Sequence, residues 1–209
     1  QFAVPRRTQI VEWSGDMEDE DLIEREDMVV TVTAGGYIKR TPLADFRAQR
    51  RGGKGLSGMQ TKDEDVVTTL FVANTHTQLL FFNTDGMAYK LKTWRLPQGG
   101  RTAKGKAIVN ILPIPTGVSI AAIMPVDVPE EEWDNLQIIF ATSAGDVRRN
   151  ALSDFTNVRS NGKIAMDLPE GIELVNARIA GEDDDVMLFT NSGRGWNLFS
   201  HARLLMYFR

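Results

Sequence analysis

Four stretches of the chain repeat one hydrophobic pattern without a gap: Val29–Gly36 (VVTVTAGG), Leu79–Gly86 (LLFFNTDG), Ile138–Gly145 (IIFATSAG) and Val186–Gly193 (VMLFTNSG). Each is an apolar, β-branched or aromatic run that ends in small polar residues and a glycine. Such a run reads as a buried strand entering a tight turn. The glycine supplies the positive φ that a hairpin turn needs. A second strand follows, marked by basic side chains: Lys39 and Arg40 after Gly36, Lys90 and Lys92 after Gly86, Arg148 and Arg149 after Gly145. The fourth copy keeps Arg194 and then drifts at Trp196 and Asn197.

Between one hairpin and the next lies a further apolar run, Val66–Ala73, Val118–Val126 and Leu174–Ile179. A repeat of roughly 50 residues built from about four short strands is the size of a β-propeller blade. Helical periodicity is almost absent; the one expected helical turn lies around Leu43–Arg47. A parallel α/β sheet would need long amphipathic helices between strands. The pattern therefore predicts an all-β fold, a β-propeller of four-stranded blades, with three blades and part of a fourth in this chain. A β-sandwich with similar hairpins is the alternative architecture.

Composition changes little of this. Hydrophobic residues at 42% and charged residues at 25% fit an ordinary globular chain. The absence of cysteine removes disulfides and thiolate–zinc sites and suits a cytoplasmic location. The longest nearly apolar stretch, Val118–Val126, is too short to span a bilayer, so no membrane partner is expected. A chain that opens at Gln1 rather than Met reads as a fragment.

Charge is more informative. The net charge is −4, which alone argues weakly against nucleic acid. Its distribution argues the other way. Glu12–Asp27 holds nine acids and one base, whereas Tyr37–Lys62 holds seven bases and one acid, and Met87–Lys106 six bases and none. Asp146–Lys163 adds four bases against two acids. Segregation of this kind gives an acidic protein a strongly positive face.

Several motifs fail on context. Gly53–Gly58 (GKGLSG) fits G-x-G-x-x-G but neither leaves a strand nor opens a helix. Gly100–Lys106 (GRTAKGK) fits most of a phosphate-binding loop, but Ala107 stands where a magnesium-binding Ser or Thr should be. Ile108–Ile111 then reads as a strand. Both stretches are better read as basic, glycine-rich loops whose backbone can approach phosphates closely. His76 and His201, the only histidines, lack ligand spacing, and the acidic runs Glu130–Glu132 and Glu182–Asp185 lack the spacing of a calcium loop. Scattered tryptophans (Trp13, Trp94, Trp133, Trp196) read as packing residues. No catalytic constellation, no metal site, no cofactor and no small-molecule substrate are expected in this chain.

Gln49–Gly55 reads QRRGGKG. This is identical to the seven-residue box that marks the C-terminal domain of the DNA gyrase A protein, and the chain resembles that family from residue 1 to about 195. Glu26–Val30 and Gly36–Lys39 resemble the family's first blade. Phe2–Thr8 (FAVPRRT) resembles the end of the preceding cleavage domain, and Glu12–Asp27 the linker between them. Residues 1–26 are thus expected to be the end of the cleavage domain and linker, and 27–209 a partial propeller. Gly99–Gly105 (GGRTAKG) and Arg159–Lys163 (RSNGK) resemble degenerate copies of the box. Trp196–Arg209 departs from the family pattern.

The resemblance implies a six-bladed propeller that wraps duplex DNA around its rim, largely without regard to sequence, so that the parent enzyme can supercoil DNA negatively. It implies the rest of gyrase A, together with gyrase B, as partners in a heterotetramer. ATP, magnesium and the active-site tyrosine lie elsewhere in that enzyme. On this reading Gln49, Arg50, Arg51, Gly52, Gly53, Lys54 and Gly55 form the principal DNA contact. Lys39, Arg40, Lys90, Lys92, Arg101, Lys104, Lys106, Arg148 and Arg149 are further candidates. Rival readings are the corresponding domain of topoisomerase IV, which carries a degenerate box, and a propeller of the WD or kelch kind that binds proteins on its ring face.

Overall fold

The computed structural model describes residues 19–46, 65–181, 184, 186–189, 195–197 and 204–207. Its strands run β1 (Asp27–Thr33), β2 (Tyr37–Pro42), β3 (Val67–Asn74), β4 (Gln78–Asn83), β5 (Met87–Lys92), β6 (Lys106–Ala107), β7 (Ile120–Val126), β8 (Gln137–Thr142), β9 (Val147–Ala151), β10 (Lys163–Ile164), β11 (Leu174–Ala180), β12 (Val186–Phe189), β13 (Gly195–Asn197) and β14 (Leu204–Tyr207). The helical turns are short and of 3₁₀ type. Leu43–Asp45 is the turn expected near Leu43.

The strands form four sheets ordered β3-β1-β2-β6, β10-β5-β4-β7, β11-β8-β9 and β13-β12-β14. In the first three, a hairpin pairs on one side with a later strand, all antiparallel. The fourth strand of a blade is borrowed. β6 follows the second hairpin in the chain yet pairs with β2 of the first blade, and β10 follows the third hairpin yet pairs with β5 of the second. Each repeat thus sends a two-residue strand backwards to close the blade before it. Ile108–Asn110, expected as a strand, is instead a 3₁₀ turn. Its first amide has already bonded the carbonyl of Gly36 at 2.8 Å, which ends the ladder.

Stacking of blades explains why the hairpin runs are apolar without alternation. Every residue of β4 is buried. Leu79 and Phe81 pack with Val30, Val32 and Ile38 of the first blade. Leu80 and Phe82 pack with Ile138, Phe140, Leu152 and Phe155 of the third. A strand covered on both faces needs apolar side chains at both parities. Phe82, Phe140 and Phe155 meet edge-on, with centroids 5.1–5.9 Å apart, each pair adding about 0.5–1.5 kcal/mol beyond burial. Trp133 is fully buried in the same cluster, and its indole donates to the carbonyl of Val128.

The three described hairpin turns are alike. Gly36, Gly86 and Gly145 have φ of 77°, 82° and 90°, and each amide donates to the residue three before it at 3.0 Å. That residue is Thr33, Asn83 or Thr142. The Thr33 hydroxyl accepts from the amide of Tyr37 and that of Thr142 from Asp146. Asn83 is buried, and neither atom of its amide has a partner among the described residues. A buried unpaired polar group is destabilising by about 1–3 kcal/mol. Asn83→Thr is therefore expected to raise the denaturation midpoint by the equivalent of about 1 kcal/mol. An unchanged or lower midpoint in a urea titration would refute it.

The last sheet differs. β14 runs parallel to β12, whereas β3, β7 and β11 run antiparallel to the first strand of their hairpins. An antiparallel return must start from the far end of the blade, after a long excursion. Here only residues 198–203 separate β13 from β14. This is where the sequence leaves the repeat.

Candidate nucleic-acid interface

The register of the hairpins sorts the basic residues. Arg40 pairs with Val30, Lys90 with Leu80 and Arg149 with Ile139, so the three occupy one equivalent position. The first two reach forward to the next blade. The Arg40 Nε–H donates to the carbonyl of Leu96 at 2.9 Å, and the Lys90 ammonium donates to the carbonyl of Thr156. Both carbonyls cap the end of the 3₁₀ turn after the following hairpin. A cation there meets carbonyls left unpaired by the end of the turn. Lys90 also pairs with Glu130 at 2.7 Å and lies over the Trp133 ring. Burial pulls the Arg40 pKa below its ordinary value, with Glu26 opposing.

Lys39 is the most enclosed of the described candidates, at 1% exposure. Its ammonium donates to the carbonyls of Gly100 and Arg101 at 2.8 and 2.6 Å. The Thr41 hydroxyl donates to the carbonyl of Gly99 at 2.7 Å. Burial holds the Lys39 pKa below the usual lysine value. These bonds fix the loop 99–105 against β2. Gly105, at φ 81°, ends the loop so close to β2 that a Cβ there would sit 2.5 Å from the carbonyl of Ile38. Gly162, at φ 88°, does the same against Tyr89 and Ala88. Only glycine fits this combination of positive φ and contact.

The two described loops therefore hold one place in the repeat. Each ends on a tight glycine and enters a borrowed strand on the edge opposite β3 or β7. The β7 edge lies against β11 of the third sheet. The loops stand on the opposite edges of their sheets, at β6 and β10. Here Arg101 is half-buried, Lys104 lies 3.7 Å from the Tyr37 ring centroid, and Lys106 is exposed on β6. In the next copy Arg159 is exposed, and Lys163 sits over Phe155. Arg148 and Arg149 are exposed on β9. Lys92 pairs with Glu20 at 3.0 Å. Gln49, Arg50, Arg51, Gly52, Gly53, Lys54 and Gly55 lie outside the described residues.

In sequence the basic residues look alike; in the fold they divide. Lys39, Arg40 and Lys90 hold backbone carbonyls of the neighbouring repeat, while Arg101, Lys104 and Lys106 line the loop and borrowed strand. Arg95 joins the basic surface without having stood out in the sequence pattern, while Arg159 and Lys163 stood there as a faint copy of the box but not as named contact candidates. Lys163 follows its glycine as Lys106 follows Gly105, so aligning the glycines gives the two lysines one place in the repeat.

Blades that lend a strand backwards, each lent strand preceded by a basic glycine loop, define a repeat propeller with a basic strand edge on successive blades. The family model described as "DNA gyrase C-terminal domain, beta-propeller" matches residues 27–74, 77–127 and 137–180, and the chain belongs to that family. The DNA gyrase A protein of Rickettsia bellii is 50% identical over 194 residues, covering 93% of this chain and 21% of that protein. Its counterpart from Granulibacter bethesdensis is 48% identical over 190 residues, covering 91% and 20%. The chain thus spans about a fifth of the length of the curated relatives it matches. Among solved structures, the C-terminal domain of DNA topoisomerase IV superposes with a TM-score of 0.67 at 25% identity, over 84% of this chain and 52% of that one. A DNA gyrase A C-terminal domain superposes at 0.62 and 23% identity, over 82% and 54%, a likeness of fold.

Proposed function

We propose that this domain binds duplex DNA along the outer edges of its blades and bends it, so that the gyrase to which it belongs can wrap DNA with one handedness and supercoil it negatively. The observation that carries this reading is the placement of successive basic glycine loops at one equivalent position on successive blades. Duplex DNA carries about one charge per 1.7 Å, and neutralising its phosphates releases counterions. Bending a short duplex by 40–90° takes about 1–6 kcal/mol, which a series of phosphate contacts offsets. No recognition helix enters a groove from the described residues, so affinity comes from backbone charge and shape, as in other wrapping proteins.

The catalytic tyrosine, ATP and magnesium belong elsewhere in the parent enzyme, and this chain contributes no catalysis. Its partners are duplex DNA, the rest of gyrase A, and gyrase B, in a cytoplasmic heterotetramer. Among the described residues no helix is long and apolar enough to cross a membrane. Gln49–Gly55 is the principal contact, with Arg101, Lys104, Lys106, Arg148 and Arg149 extending the track. Lys39, Arg40 and Lys90 support that track by fixing loops and blades, and Lys92 joins it once its carboxylate partner is displaced. The test is a filter-binding series on long mixed-sequence duplex. Log affinity should fall with log salt by about 0.9 per phosphate contacted. A slope near zero would remove the DNA reading.

A further inference from the structure

The strand-edge loops leave one basic feature unused. On the second blade Gln78, Lys90, Lys92, Trp94 and Arg95 line a groove of about 440 Å³, and Glu20 enters it. Glu20 belongs to the short turn Asp19–Leu22 ahead of β1. Its carboxylate Oε1 accepts from Lys92 Nζ at 3.0 Å and lies 3.2 Å from His76 Nδ1. His76 Nε2 is 2.8 Å from the carbonyl of Ile23. The strap is anchored further along. The Thr75 hydroxyl donates to the carbonyl of Glu24, and the Thr75 amide to that of Glu26. A run dense in acids is therefore pinned across the turn between β3 and β4, with one carboxylate among the groove's cations.

The groove suits an anionic oxygen. Lys92 is only partly covered, and Arg95 is exposed, stacked on Trp94 at 4.9 Å. Lys90, held by Glu130 and Thr156, is the more covered of the two lysines; Lys92, held by Glu20 and by the His76 carbonyl at 3.2 Å, keeps more of its side chain open. The carboxylate of Glu20 is the same class of acceptor as a phosphate oxygen, held at high local concentration by its tether. We infer that this groove is a phosphate-class anion site, that the acidic segment ahead of β1 occupies it through Glu20, and that duplex DNA must displace that carboxylate to engage the second blade. The inference rests on the DNA reading above and adds to it an intramolecular competitor.

An exposed ion pair contributes about 0.2–1 kcal/mol, so the competition is modest and depends on salt. In the whole 209-residue chain, Glu20→Gln should tighten binding to a linear mixed-sequence duplex about two- to five-fold at low salt. It should also steepen the slope of log affinity against log salt by about one, because Lys92 becomes available to a phosphate. Glu170→Gln removes one acid from an exposed turn at the opposite end of the second blade's hairpin and controls for net charge. Lys92→Ala should cost more affinity in the Glu20→Gln background than in the parent and so cancel the gain of Glu20→Gln. If Glu20→Gln binds no tighter than Glu170→Gln, or Lys92→Ala weakens both backgrounds equally, the competing latch is wrong while salt-dependent binding in every variant leaves the DNA reading intact. If no variant binds duplex at all, both fall together.

Discussion

Gly86→Ala is expected to destabilise the domain by about 3 kcal/mol or more, whereas Gly36→Ala and Gly145→Ala should each lose only about 1–2 kcal/mol. All three glycines end the same hairpin turn with φ between 77° and 90°. The shared loss comes from forcing an L side chain into the left-handed region. The difference comes from what lies behind the turn. A Cβ on Gly36 or Gly145 would meet nothing within 4 Å. On Gly86 it would sit 2.1 Å from the carbonyl oxygen of Met166 and 3.2 Å from Leu168. The backbone must move, and it is the backbone that closes the blade. Ala165 and Met166 both donate to the carbonyl of Gly86, directly after β10 pairs with β5. Shifting Met166 strips the lent strand from its acceptor. Urea midpoints at constant m-value would measure the three substitutions side by side, and amide exchange would show opening at 163–166 in Gly86→Ala alone. Equal midpoints would mean that the lent strand does not hold the blade.

The contrast marks what the sequence could and could not say. Repeated apolar runs, hairpin glycines and basic second strands were legible because they follow from local periodicity and turn chemistry. The apolar run in each interval was legible for the same reason and appears as β3, β7 and β11. The lent strand was not legible. Lys106–Ala107 and Lys163–Ile164 are two residues long, too short for any period to register, and their pairing is with an earlier repeat. The roles of the basic residues failed to separate for a similar reason. Lys39 and Lys106 look alike in sequence, but one is enclosed by carbonyls of a loop some 60 residues away and the other is exposed. Spacing gives the face a residue is on within its own strand, not what another blade brings to it.

Replacing Arg50, Arg51 and Lys54 together with Ala is expected to have the largest effect on function. Arg51–Gly55 and Arg101–Gly105 share the pattern R-x-x-K-G. In the second copy that pattern is the loop that Lys39 and Thr41 clamp before a lent strand, with Arg101 only half-buried. The first copy adds a further arginine and two glycines, Gly52 and Gly53, in place of Thr102 and Ala103. More charge on a barer backbone favours close phosphate contact. Removing three cations that each meet a phosphate would flatten the slope of log affinity against log salt by about three. None of the three substitutions removes an apolar side chain, so the thermal midpoint should stay within a few degrees of the parent's. In the intact parent enzyme, supercoiling should disappear while DNA cleavage and ATP-independent relaxation persist, because on the proposed reading cleavage belongs to the preceding domain and supercoiling alone depends on the wrap. An unchanged salt slope would show that the phosphates lie against other residues. Retained supercoiling with a flattened slope would show that the wrap tolerates losing its densest charge, and that the loops at 99–105 and 159–162 suffice to bend the duplex.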